Sequence, residues 1–150
     1  MRKTSHTQNK EPFLESFLSE MRFKKAIPFI NNRSVVADIG CGYHGNFLNK
    51  ISNVVKSGIG YDISVIKKRL TKNIVLEKVD INCKFETRTK YFDTVTALAV
   101  LEHVKNPEHF VNQIYRILKR NGKIIVTTPH VKGKKILEFL SLKMGLGFRV

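Results

Sequence analysis

The chain has 150 residues, the length of a single domain and enough to bury one continuous core without disulfide or metal staples. With 42% hydrophobic and 26% charged residues it lies in the globular range, which excludes disordered and collagen-like classes. A formal net charge of +15 invites a nucleic-acid partner. The 27 basic residues are spread along the whole chain, however, as a general compositional bias would leave them, and no nucleic-acid partner is expected.

Only two cysteines occur, Cys41 and Cys83, and the N-terminus MRKTSHTQNK is polar, so neither a disulfide scaffold nor a secretory signal is read and a cytoplasmic location is expected. Paired CxxC spacings are missing and the five histidines are scattered, so no metal site is expected. No apolar run reaches the roughly 18 residues of a membrane span.

In chain order, residues 1–33 read as a polar tail and an amphipathic helix. Phe13, Leu14, Phe17, Leu18 and Met21 recur at helical spacing behind Pro12, a favourable first-turn residue. Residues 34–150 read as the ligand-binding domain. SVVADIG is a strand, Phe47, Leu48, Ile51, Val54 and Val55 mark one helix face, and SGIGYDIS is a second strand. A short helix (SVIKKRL), strand three (NIVLEKVD) and strand four (YFDTVTALAV) follow. The clearest helix spans 106–119, with Asn106 as N-cap, Pro107 at its first position and Asn121-Gly122 as its stop. GKIIVTTP is strand five. Ile136, Leu137, Leu140 and Met144 then mark a last crossover helix, in preference to a membrane-surface segment.

Five nearly continuous apolar strands alternating with helices imply an α/β, doubly wound, mostly parallel sheet covered on both faces. In such sheets ligands sit at the carboxyl ends of the strands. Three of the chain's four aspartates fall there: Asp38 closes strand one before Gly40-Cys41-Gly42, Asp62 closes strand two, and Asp80 closes strand three. An unpaired carboxylate at a buried strand end is costly, so each calls for a ligand or backbone donors. Gly40, Gly42 and Gly45 also spell GxGxxG with an acid about 20 residues on, the fingerprint of a dinucleotide site. Asp38 argues against that reading, because it would confront a pyrophosphate with like charge, whereas it suits a cationic ligand such as an amino group or sulfonium.

VVADIGCG, then GYDIS, VDIN, FDTVTALAVLEHV and LKRNGKIIVTTPH, resemble in order and spacing the motifs of class I S-adenosylmethionine-dependent methyltransferases, over roughly residues 34–130. The resemblance implies a Rossmann-like sheet and S-adenosylmethionine as cofactor. Asp38, Gly40 and Gly42 would form the loop under the methionine part, and Asp62 would accept the ribose hydroxyls. Asp80 would meet the adenine amine with Ile81 against the ring, while Ala97 and Leu98 would flank the methionine tail. The chain departs from the pattern at Tyr43-His44, which lengthens the glycine turn by one residue. Cys41 is read as a packing residue, and no catalytic role is expected of it or of Cys83. His103, beside Glu102, is the candidate base, ahead of His130 and His44; His109 is expected to face solvent.

Ala97-Leu98-Ala99-Val100 stands where amino-directed DNA methyltransferases carry an Asp/Asn-Pro-Pro-aromatic motif, and the Pro-Cys of cytosine C5 chemistry is absent too. The expected acceptor is therefore a small molecule, a sugar or a lipid-linked glycan, with peripheral membrane contact allowed by the charge. The family's last two strands, six and seven, find no residues here, which leaves two expectations open: a truncated copy whose strand-five edge a dimer or partner covers, or a domain that binds cofactor without turnover. Two rival readings remain at this point: an NAD-dependent oxidoreductase, and a non-catalytic cofactor-binding remnant or regulatory subunit.

Overall fold

The computed structural model describes residues 12–128 and 133–144. Four α-helices, α1 (Pro12–Ala26), α2 (Asn46–Ile51), α3 (Pro107–Ile117) and α4 (Gly133–Met144), surround six strands. The strands are β1 (Val35–Ile39), β2 (Ser57–Asp62), β3 (Lys68–Arg69), β4 (Ile74–Lys78), β5 (Phe92–Leu98) and β6 (Leu118–Thr127). They form one sheet in the order β3-β4-β2-β1-β5-β6, and every pairing is parallel except β3 with β4. The order reverses at β1, between β2 and β5, which places a crevice at the carboxyl ends of those strands.

Alternation along the strands sorts the core into two layers. Val36, Ile74 and Leu76 face α2 and meet Phe47, Leu48, Ile51 and Ala26. Ala37, Ile39, Tyr61, Val95 and Ala97 face the other way, against Phe110, Ile114 and Ile117 of α3 and Ile136 and Leu140 of α4. The last crossover helix thus forms as the spacing predicts, in the core rather than as a surface segment. Asn106 caps α3 by accepting the His109 N–H at 3.0 Å, with Pro107 at the first helical position. The fourth aspartate, Asp93, works at the opposite end of the sheet: it accepts the Val35 N–H at 2.8 Å and pairs with Lys119 at 2.6 Å.

Four details differ from the sequence reading. The stretch SVIKKRL does not form a helix: Val65 plugs into the core and Lys68–Arg69 turns back as β3, antiparallel to β4. Seven residues that open with the β-branched pair Val65-Ile66 after Ser64 repay helix nucleation poorly, and pairing with β4 satisfies the backbone instead. The sheet accordingly has six strands where five were expected. Helix α3 stops at Ile117, and Asn121-Gly122 lies in a register break of β6, where Phe92 pairs with Leu118 but Thr94 with Lys123. Finally α1 forms, yet Leu14, Phe17 and Met21 on its expected inner face are 46%, 54% and 44% exposed. It holds on through Phe23, packed 5.3 Å from the Phe47 ring, and an ion pair of Glu20 with Lys50.

Among the described residues β6 is the last strand of the sheet, paired on one side only. No helix among them is long and apolar enough to cross a membrane.

Candidate functional site

The loop after β1 is bent by three glycines with positive φ, Gly40 (+74°), Gly42 (+70°) and Gly45 (+60°). Two of them are required twice over, by conformation and by space. A Cβ on Gly40 would lie 2.4 Å from Val100 Cγ2, and one on Gly45 would lie 2.8 Å from Leu76. Gly42 differs: a Cβ there would meet nothing within 4 Å. The loop is tied to the end of β2, with Gly40 N–H donating to the Tyr61 carbonyl at 2.7 Å and Gly42 N–H to Asp62 Oδ2 at 2.9 Å.

Asp62 is the hub. Its Oδ1 accepts the Ser64 N–H at 2.8 Å and the Ser64 hydroxyl at 2.6 Å. Burial works to raise its pKa, but the bonds from Ser64 and Gly42, helped by the nearby His103, win and hold the carboxyl below the usual range. Asp62 therefore stays ionised at the rim of the crevice.

Asp38, two residues before the first glycine, is buried. Burial pushes its carboxyl up to about 7 against the opposing bond from the Thr96 hydroxyl, and the Asp62 charge adds to the rise. Burial and the same two aspartates raise the Cys41 thiol well above its ordinary value, so Cys41 is a neutral packing residue. Its sulfur fills the space that a side chain at position 60 would need, and Cys83 is exposed and free.

Asp80 sits two residues beyond the end of β4 and accepts both the Asn82 N–H (2.9 Å) and Asn82 Nδ2 (3.1 Å) on Oδ1. The bonds from Asn82 are the main reason its pKa is lowered. Asn82 in turn accepts the Lys105 N–H at 2.8 Å, so one amide joins the turn after β4 to the segment after β5. Ile81 is only 8% exposed and belongs to the core, which leaves little of it for a ring to pack on.

At the top of β5, Ala97 is buried and Leu98 half-buried. Ala99, at a φ of +54°, is pinned by two bonds from its N–H to Thr127. A short turn, Leu101–His103, carries the exposed candidate base His103 to the rim, close enough to Asp62 to help lower its pKa. His44 is exposed beside Tyr43, and His130 lies outside the described residues. His109 does not simply face solvent: it is half-buried, with Nε2 enclosed and unbonded.

Two side chains to which the sequence reading gave no role have notable surroundings. Ile63 is 62% exposed directly after Asp62, and a large aliphatic side chain next to the strand-end acid was the available signal. Glu102 has a buried Oε2 without a hydrogen-bond partner, an orphan acceptor adjoining His103. Around Gly42 the structure thus gathers an open cradle, one ionised carboxylate and one buried acid. Those acceptors suit a ligand bearing hydroxyls and positive charge. No group of three or more potential metal ligands occurs among the described residues.

The family model described as a methyltransferase domain matches residues 10–146. A tRNA U34 carboxymethyltransferase of Helicobacter pylori (strain Shi470) is 30% identical over 105 residues, covering 63% of this chain and 40% of that protein. A ubiquinone biosynthesis O-methyltransferase of Nitrosomonas europaea is 26% identical over 115 residues, covering 71% and 48%. The chain thus spans less than half the length of either. A TehB-like SAM-dependent methyltransferase from Corynebacterium glutamicum shares the fold with a TM-score of 0.67 at 15% identity, over 88% of this chain and 80% of that one. These matches decide between the two families whose glycine loops share this spacing: the chain belongs to the methyltransferase-domain family, with the class I Rossmann-like sheet.

Proposed function

We propose that this domain binds S-adenosylmethionine across the carboxyl ends of β1, β2 and β4 and directs its methyl group to a small-molecule, sugar or lipid-linked acceptor. The reading rests above all on Asp62, an ionised carboxylate fixed by Gly42 and Ser64 beside the open space at Gly42. Its remaining lone pairs suit a ribose diol, and charge-assisted bonds of that kind contribute roughly 1.5–3 kcal/mol each. Asp80 keeps Oδ2 for the adenine amine, because both bonds from Asn82 fall on Oδ1. Ile63, exposed beside Asp62, takes over the ring contact expected of Ile81. Asp38 sits under the methionine end, where it attracts the ammonium and sulfonium charges. Ala97 and Leu98 wall that end.

When bound, the cofactor supplies an electrophilic methyl group on a positively charged sulfur. The protein's task is to hold the acceptor in line with that methyl and keep water away, and orientation of this kind contributes roughly 7–11 kcal/mol. His103, exposed at the rim, takes the proton of a hydroxyl acceptor. The two curated relatives, one named for tRNA and one for ubiquinone biosynthesis, differ in what they modify. The part they share with this chain accordingly speaks for the cofactor half, and the acceptor class rests on the absent DNA-type motifs and the charge.

The test is calorimetry with S-adenosylhomocysteine and with NAD on wild type and Asp62→Ala. Binding of the first alone, lost in the variant, supports the reading; indifference to S-adenosylhomocysteine in the folded wild type refutes it.

A further inference from the structure

The connection between β2 and β4 presents a surface that neither the core nor the proposed cofactor cleft uses. Ser64 is fastened to Asp62, and Val65 is 1% exposed in the core, yet the next residue, Ile66, stands 70% exposed. Lys67, Lys68, Arg69 and Lys72 follow within six residues, and residues 63–73 contain no acid. Tyr43 reaches the same place from the glycine loop, half-exposed, with Lys68 Nζ 4.7 Å from its ring centre. Among the described residues, only Lys67 of these cations meets a carboxylate, that of Glu77 at 3.4 Å, and it remains largely exposed.

A lone exposed isoleucine is ordinary. Lysines on an edge strand also have an ordinary use, since they discourage edge pairing. That use explains Lys68 and Arg69 of β3 but neither Ile66 at the loop tip nor Lys72 beyond the strand. An apolar tip beside the anchored Ser64 and buried Val65, an amphipathic ring and surrounding cations together match the layering of an anionic bilayer, with acyl chains inside and phosphates outside. We infer that the 66–72 connection with Tyr43 is a docking surface for an anionic lipid bilayer, and that it presents the cleft's rim to the membrane. Ile66 enters the headgroup boundary while Lys67, Lys68, Arg69 and Lys72 bind phosphates. The inference goes beyond the methyl-transfer reading and does not require it.

The chain contains no tryptophan, so Ile66→Trp provides a single reporter at the tip. Without any adenosyl ligand, its emission shifts to the blue on vesicles of phosphatidylcholine with phosphatidylglycerol and stays unchanged on phosphatidylcholine alone. In vesicle pelleting, Lys68→Gln with Lys72→Gln lowers the partition coefficient about tenfold or more. The equal-charge control Lys90→Gln with Arg120→Gln, at exposed positions away from the patch, lowers it less than about threefold. An unshifted emission on anionic vesicles overturns the inference, as does an equal loss in the control pair. Tighter binding of a single-stranded oligonucleotide than of vesicles at matched phosphate concentration overturns it too and assigns the patch to nucleic acid.

Discussion

The Thr96 hydroxyl donates to Asp38 Oδ1 at 2.6 Å between neighbouring strands β5 and β1, both side chains buried. That single bond does not offset the desolvation of the carboxylate, and the Asp62 charge adds to the penalty, so Asp38 titrates near 7. For a carboxyl raised in the folded state, the contribution to stability is fully present below its ordinary pKa and is lost as pH rises through about 7. The stability of the free domain should therefore fall between about pH 4 and 7, by on the order of 4 kcal/mol at most, read as a lower melting temperature, and Asp38→Asn should remove that slope. Ligand binding has the opposite sign. A cation near Asp38 favours the ionised form, so S-adenosylhomocysteine, with its ammonium, should bind more tightly as pH rises through 7 and release a proton on binding below it. Calorimetry in buffers of different ionisation enthalpy measures that proton. A pH-independent affinity would show that the ligand does not sense Asp38.

Gly40 and Gly42 share a positive φ but face different surroundings, and this separates stability from binding. Alanine at position 40 strains the backbone and drives its Cβ into Val100, so Gly40→Ala should cost about 2–4 kcal/mol, read as a lower urea midpoint. Gly42→Ala meets no protein atom and should cost only about 1 kcal/mol, the conformational part. Its methyl enters the space assigned to the ligand, however, so affinity for S-adenosylhomocysteine should drop about tenfold or more. Equal losses of stability in the two variants would contradict this division.

What was readable in the sequence follows from how local the information is. The hydrophobic runs fixed β1, β2 and β5, and the Asn106-Pro107 pair fixed the start of α3, because these signals act within a few residues. The three strand-end aspartates were readable for the same reason, since chain order in a parallel sheet places them on one rim. The failures need partners distant in sequence. SVIKKRL becomes a loop and β3 because β4 offers an open edge, and Gly122 serves a break in β6 because Leu118 and the Asp93 carbonyl crowd it. The choice between Ile81 and Ile63 depends on which one the core claims, and Phe85, which helps build that core, belongs to no motif.

Asn82 joins Asp80 to Lys105. Its amide bonds Asp80 Oδ1 on one side and the Lys105 N–H on the other, so it keeps the turn after β4 in register with the segment carrying His103. Asn82→Ala should cost about 1–3 kcal/mol and raise amide exchange at positions 80–83 and 103–105 together. Asn82→Asp retains the acceptor for Lys105 but loses the donor to Asp80, so it should loosen 80–83 while sparing Lys105. Exchange confined to 80–83 in both variants would break the proposed link.

Ile63 and Ile81 provide the last separation, between a side chain that meets ligand and one that meets core. Ile81, 8% exposed and packed in the cluster that includes Phe85 and Leu101, should lose about 2–4 kcal/mol of stability on Ile81→Ala through the cavity left behind. Ile63 is 62% exposed, so Ile63→Ala should leave the melting temperature within about 2 °C of wild type. If Ile63 covers the adenine, the same change should weaken S-adenosylhomocysteine about fivefold to tenfold, the loss of partly burying an aliphatic side chain against the ring. Free adenosine should weaken by the same factor, because the contact lies at that end of the ligand. A loss for S-adenosylhomocysteine alone would move Ile63 to the methionine end, and no loss for either would leave the ring to Asp80 and its neighbours.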